Sequence, residues 1–238
     1  MVRKPFLLPQ KSLGKEGQWH GVYAKAFVLT VVIFLLGVLV ANYFSEKRAG
    51  LFLSEIRKID SGLNEAKTTL LYFDTLRESA HFCKSFPLLQ ARLADRVDAL
   101  GNDLTRLEEV DAGSLELVAL KKNYTLLNAQ LWLYLVNLRQ KCPGANYNTV
   151  LYFYSNLAGQ CPDCQRQGRE LTELRQSRGN LFVFAFEANL GLDLIDVLKK
   201  QYGVTQLPAV VVNEAQTMQG YRSSQEIGVA LPAAAEPA

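Results

Sequence analysis

Between Ala26 and Ser45 the chain reads AFVLTVVIFLLGVLVANYFS, a run without a single charge. A helix of about 20 apolar residues spans the hydrocarbon core of a bilayer, so this run has the length of one crossing. Lys25 and Glu46 close its ends, and Trp19, Tyr23, Tyr43 and Phe44 stand where interfacial aromatic belts lie. A cleaved signal peptide is the alternative. Its apolar region runs roughly 7–15 residues and ends at a small-residue site, and this run is longer and no such site follows it cleanly. The expectation is an uncleaved signal-anchor with residues 1–25 as a juxtamembrane segment and 26–45 as the transmembrane helix. No second run of this kind occurs, so the pass is single.

Charge does not orient that helix. Lys11, Lys15 and Lys25 precede it and Lys47, Arg48, Arg57 and Lys58 follow it, while Arg3 and Lys4 even the count farther out. The whole chain of 238 residues carries 26 Lys+Arg against 23 Asp+Glu. A net charge of +3 with no basic, aromatic-interleaved stripe argues against a nucleic-acid partner. With 49% hydrophobic and 21% charged residues, the chain is not disordered as a whole. Two histidines, His20 and His81, are too few for a His-rich metal centre.

Residues 46–142 read as helix with two breaks. Phe52, Ile56, Ile59, Leu63, Ala66, Leu70 and Phe73 alternate in steps of four and three, a coiled-coil-like seam. This first helix is expected to end near Cys83, with Ser85 capping and Pro87 opening the next. Leu89, Leu93, Val97, Leu100, Leu104, Leu107 and Val110 form the second seam; Asp111 to Ser114 supply a turn. The third seam holds Leu117, Leu120, Tyr124, Leu127, Leu131, Tyr134 and Leu138, and Cys142-Pro143-Gly144 stops it. Short turns force an up-down-up, three-helix antiparallel bundle or stalk. The alternative is that the seams dimerise with a second copy, and the oligomeric state stays open.

From Asn146 the period changes. Strands are expected at Thr149–Tyr154, Leu181–Phe186, Ala209–Val212 and near Thr217–Gln219. Helices are expected at Gln165–Gln176, Leu192–Tyr202 and Ser223–Leu231. The order is β-α-β-α-β-β-α over residues 146–231, an α/β domain, and residues 232–238 form a small-residue tail.

Cys161-Pro162-Asp163-Cys164 lies directly after the first strand and opens a helix, and Pro208 stands alone just before the third strand. With these features the segment 146–231 resembles the thioredoxin superfamily, in its minimal form without the extra N-terminal βα unit. The resemblance implies a thioredoxin-like fold and thiol–disulfide exchange on cysteine-containing protein substrates, with a redox partner protein and no cofactor. It implies Cys161 as the exposed attacking thiol and Cys164 as the resolving thiol. Pro162, Asp163, Leu207 and a cis Pro208 would line the substrate groove. Helix N-termini stabilise thiolates, whereas the Asp163 charge works against one. Gln160 stands where thioredoxins usually have tryptophan, and Leu151–Tyr154 contains no acidic residue. Oxidant, reductant and isomerase all stay open.

Two other readings compete. A zinc site would have to borrow from Cys83, Cys142 and His81, whose spacing matches no common module, so no metal is expected. A non-catalytic thioredoxin-like module on a membrane-tethered scaffold would need neither thiol. Up-down-up topology also places Cys83 and Cys142 at one end of the bundle, where a disulfide can staple it; two buried free thiols are the alternative. A disulfide there would place the C-terminal domains outside the cytoplasm, on a cell membrane.

Overall fold

The computed structural model describes residues 16–76, 82–85, 90–111, 113–142 and 145–232. The expectations for residues 1–15, His81, Phe86–Leu89, Pro143, Gly144 and 233–238 lie outside the described residues. Two compact units divide the chain, 1–54 and 55–238.

In the first unit the described residues are all helical, and they belong to α1 (Glu16–Thr75). Its stretch Tyr23–Tyr43 is long and apolar enough to cross a membrane, and its side chains are exposed along the whole stretch. A helix apolar on every side has no face to offer to water, which is the pattern of a lipid-facing span.

The second unit begins with the last part of α1 and continues through α2 (Asp95–Asp111) and α3 (Leu115–Lys141). Glu65 meets Arg96, and a Cβ on Gly62 would touch Leu100, so α1 and α2 run in opposite directions. Gly101 lies against Tyr124 and Glu108 against Lys121, so α3 reverses again. Gly101 is required at its position: a Cβ there would stand 2.3 Å from the Tyr124 hydroxyl. The seam residues Ile59, Leu63, Ala66, Leu70 and Phe73 are buried within this one chain.

One expected boundary is corrected. α1 ends at Thr75, not near Cys83. Phe73 and Phe82 both pack edge-on against Tyr134, with ring centroids 6.4 and 5.4 Å away. A continuous helix would separate those residues by about 13.5 Å along its axis, farther than two contacts with one ring allow. The chain therefore leaves the helix after Thr75, whose hydroxyl donates to the Tyr72 carbonyl at 2.6 Å. Likewise Ser85 closes a 3-10 turn, Cys83–Ser85, and the next described helical residues form a π turn, Gln90–Ala94, leading into α2.

The rest is an α/β layer in the expected order: β1 (Asn148–Tyr154), α4 (Cys164–Ser177), β2 (Leu181–Glu187), α5 (Asp193–Gln201), β3 (Ala209–Val212), β4 (Gln216–Gln219) and α6 (Ser224–Ala230). The four strands form one mixed sheet in the order β2-β1-β3-β4. β1 and β2 are parallel; β3 runs antiparallel to β1 and to β4. Val150, Tyr152, Val210 and Val212 face Leu171 and Leu174 of α4 and Ile227 of α6 in one apolar cluster. The alternate residues Leu151, Phe153 and Val211 are equally buried, so the central strands carry side chains into core on both faces. That is why β1 and β3 read as continuous apolar runs instead of alternating ones.

α3 is packed against β2 as well as against α2. Its buried positions therefore run around the helix, adding Lys121, Asn128, Trp132 and Leu135 to the expected seam. Ser114 caps it, accepting from the Leu117 N–H at 3.2 Å.

Candidate functional site

Cys161 and Cys164 are joined by a disulfide with Cα atoms 5.3 Å apart. Cys164 is the first residue of α4 and is buried, whereas Cys161 lies one turn ahead of the helix and is half-buried. The difference orders the two sulfurs: one can be approached from solvent and one cannot. Pro162 and Asp163 between them are exposed. Asp163 occupies the N-cap position but makes no capping hydrogen bond from its side chain. The positive end of the α4 dipole is thus not answered by a local carboxylate cap.

Beneath this turn lies Tyr152, whose hydroxyl donates to the Cys164 carbonyl at 2.5 Å. Burial holds the Tyr152 phenol well above its ordinary pKa, so it stays a neutral donor across the physiological range. Its ring stacks on Tyr154 at 5.4 Å. Farther along α4, the fully buried Gln167 donates to the Arg222 carbonyl at 3.0 Å and accepts from the Arg222 N–H at 2.7 Å. One side-chain amide there mimics a strand partner and ties α4 to the segment before α6.

The loop from Ser155 to Gln160 leads into Cys161. Ser155 Oγ accepts from the Leu157 N–H at 3.1 Å and from Asn189 Nδ2 at 2.8 Å. Asn189 also donates to Gln160 Oε1. Asn189 follows β2, so the loops at the ends of the two parallel strands are laced together just before the dithiol.

The Leu207–Pro208 peptide bond is cis. Ala209 pairs with Phe153, which puts Pro208 level with Tyr154, at the same end of the sheet as the dithiol loop. Leu207 is half-buried and Pro208 buried, and the Pro208 carbonyl accepts from the Gly220 N–H at 2.8 Å. Gln219 Oε1 takes the N–H groups of Thr205 and Gln206 at 2.9 and 2.8 Å, bracing the chain that leads to Leu207.

Cys83 and Cys142 form a second disulfide, with Cα atoms 5.6 Å apart. Cys142 caps α3 and precedes β1, so this bond lies toward the opposite end of the central strand. All four cysteines are paired in these two disulfides. Among the described residues no group of three or more His, Cys, Asp or Glu is arranged to hold a metal ion.

A polar cluster that sequence reasoning missed borders the site. Lys121 Nζ donates to Glu108 and to Glu187, both at 2.5 Å, and Glu108 accepts from Asn156 Nδ2 at 3.4 Å. Burial alone would lower the Lys121 pKa, but the two hydrogen-bonded carboxylates outweigh it and hold the ammonium above the ordinary lysine value. The one signal in the sequence was Glu187, an acid ending the buried run Leu181–Phe186. Nothing in the sequence marked Asn189 as the partner of Gln160.

No protein-family model matches the chain, and no curated protein matches it. A solved structure described as "Structure of a malarial protein" aligns with 35% of this chain and 92% of its own, at 21% identity and a TM-score of 0.30.

Proposed function

We propose that the chain is a membrane-anchored thiol–disulfide oxidoreductase whose α/β domain is thioredoxin-like. The observation that carries the reading is the dithiol itself: a half-exposed Cys161 bonded to a buried Cys164 that opens a helix directly behind the central strand. The sheet order, with β3 antiparallel beside β1, and the position of Pro208 at the dithiol end support the same fold. In the reduced state the Cys161 thiolate attacks one sulfur of a substrate disulfide, forming a mixed disulfide and releasing one substrate thiolate. The Cys164 thiolate then attacks Cys161 Sγ, closing the intramolecular disulfide and releasing the second substrate thiolate. The reverse sequence oxidises a substrate dithiol, and a redox partner protein resets the couple in either direction. Leu207 and Pro208, with Pro162 and Asp163, form the groove for the substrate's extended segment.

The second disulfide supports an extracytoplasmic domain, because structural disulfides persist in oxidising compartments. The span Tyr23–Tyr43 is then a single-pass anchor in the cell membrane.

The full chain in detergent micelles, equilibrated against glutathione, tests the reading. A reversible Cys161–Cys164 couple between roughly −120 and −270 mV is expected, the range of catalytic dithiols. Cys164→Ser should accumulate covalent complexes with cysteine-containing proteins. A bond that resists reduction below about −300 mV, with no complexes trapped, would leave the α/β domain a non-catalytic binding module.

A further inference from the structure

Lys121 lies in the second turn of α3, 9% exposed, on a helix of the bundle and not of the α/β layer. The two carboxylates that hold it lie on two routes to the same loop. Glu108, on α2, also accepts from Asn156, near the start of the 155–160 loop. Glu187 is the last residue of β2. Ala188 after it donates its N–H to the Tyr154 carbonyl at 2.7 Å, and Asn189 reaches Ser155 and Gln160. Gln160 is bonded directly to Cys161. Two arms therefore run from one ammonium: the Glu108 arm meets the loop at Asn156, and the segment after Glu187 meets it at its beginning and at its end.

We propose that Lys121 is a positioning residue for the dithiol: the bundle, through Glu108 and Glu187, fixes both ends of the 155–160 loop and with it the placement of Cys161 ahead of α4. This rests on the redox reading above. The physical reason is the asymmetry of buried ion pairs. With the ammonium present, two carboxylates converge on it; without it, two like charges are left in a partly desolvated place with no counter-ion. Their separation moves Asn156 on one side and the Glu187–Asn189 segment on the other. Cys164 then keeps its bond from Tyr152, while the loop that leads into Cys161 loses its support from the bundle.

The test compares wild type, Lys121→Met, Lys121→Arg and Asn189→Ala as full chains in micelles. The readouts are the glutathione equilibrium of the dithiol, the rate of Cys161 alkylation after reduction, and the denaturation midpoint. Lys121→Met and Asn189→Ala should each shift the glutathione equilibrium constant by about tenfold, or about 30 mV for a two-electron couple. Both should change the alkylation rate, and Lys121→Arg should restore most of each effect. A lysine that only stabilises the fold would lower the midpoint of Lys121→Met and leave potential and alkylation at wild-type values; that result overturns the proposal. Should Lys121→Met fail to fold, Glu108→Ala decides, since it removes one arm of the cluster and keeps the lysine on Glu187: a shifted potential supports the proposal and an unshifted one overturns it. A wild-type chain without a reversible couple would instead overturn the redox reading itself.

Discussion

The two ends of β1 each carry a disulfide joining a buried cysteine to a more exposed one, and they differ in the length of chain they close and in what surrounds them. Seven strand residues, about 20 Å of backbone, separate them. At the first end, Cys142 closes a link to Cys83 across 59 positions of chain, beside a network centred on Glu214. That side chain accepts from Trp132 Nε1 at 2.7 Å, Arg139 Nη1 at 3.0 Å and Thr149 Oγ1 at 2.7 Å. Two residues there, Asn213 and Glu214, hold left-handed backbone angles (φ 49° and 57°), a conformation sustained by those tertiary bonds. At the other end the bond spans only three positions, and its buried cysteine opens a helix. A link that closes a long loop removes many unfolded conformations; one that closes a short loop removes few and can be opened at little conformational cost. Where a disulfide lies in the chain thus sets how strongly it constrains the unfolded state.

The largest test of that contrast is activity. Cys161→Ser should reduce thiol–disulfide exchange with a protein substrate to background, whereas the double change Cys83→Ser, Cys142→Ser should keep exchange per folded molecule near wild type. Loss of exchange in the double variant, with the fold intact by circular dichroism, would erase the distinction. Next comes stability. The chain-entropy estimate gives about 4 kcal/mol for the long-loop bond and about 2 kcal/mol for the short one. Urea denaturation of the two variants should show that ordering, and equal losses would break it. Glu214→Ala should cost about 1–3 kcal/mol, because it strands the buried Trp132 donor and removes the ion pair of the half-buried Arg139, while the dithiol potential stays put. A moved potential would mean that the two ends are coupled. The smallest effect belongs to Glu170, near the dithiol end. Hydrogen bonds from Tyr221 and Ser224 hold its carboxyl below the usual carboxylate range. Its contribution is present above that range and is lost as pH falls through the depressed value. Glu170→Gln should therefore flatten the acid side of a stability–pH profile, and an unchanged profile would remove Glu170 from the account.

Much of the architecture was legible because its causes are local. Twenty uncharged residues declare a membrane-length helix, heptad spacing declares helical seams, and the β-branched run at Ala209–Val212 declares a strand. Cys-Pro-Asp-Cys after a strand singled out the dithiol, and turn-limited topology singled out Cys83 with Cys142. The misjudged end of α1 shows where this stops: periodicity continued toward Cys83, but the shared contact of Phe73 and Phe82 with Tyr134 bends the chain out of the helix.

The sequence by itself thus determined the membrane-length apolar helix and the order of elements, and it singled out the two cysteine pairs. The tertiary structure alone decided that Lys121 is buried between Glu108 and Glu187, that Asn189 meets Gln160, and that Glu214 is held on Trp132 and Arg139. Spacing and propensity act over a few residues of chain. These polar contacts join positions 13 to 82 residues apart, and only the packing of α3 on α2 and the sheet, and of neighbouring strands on each other, brings such distant groups within reach of one another.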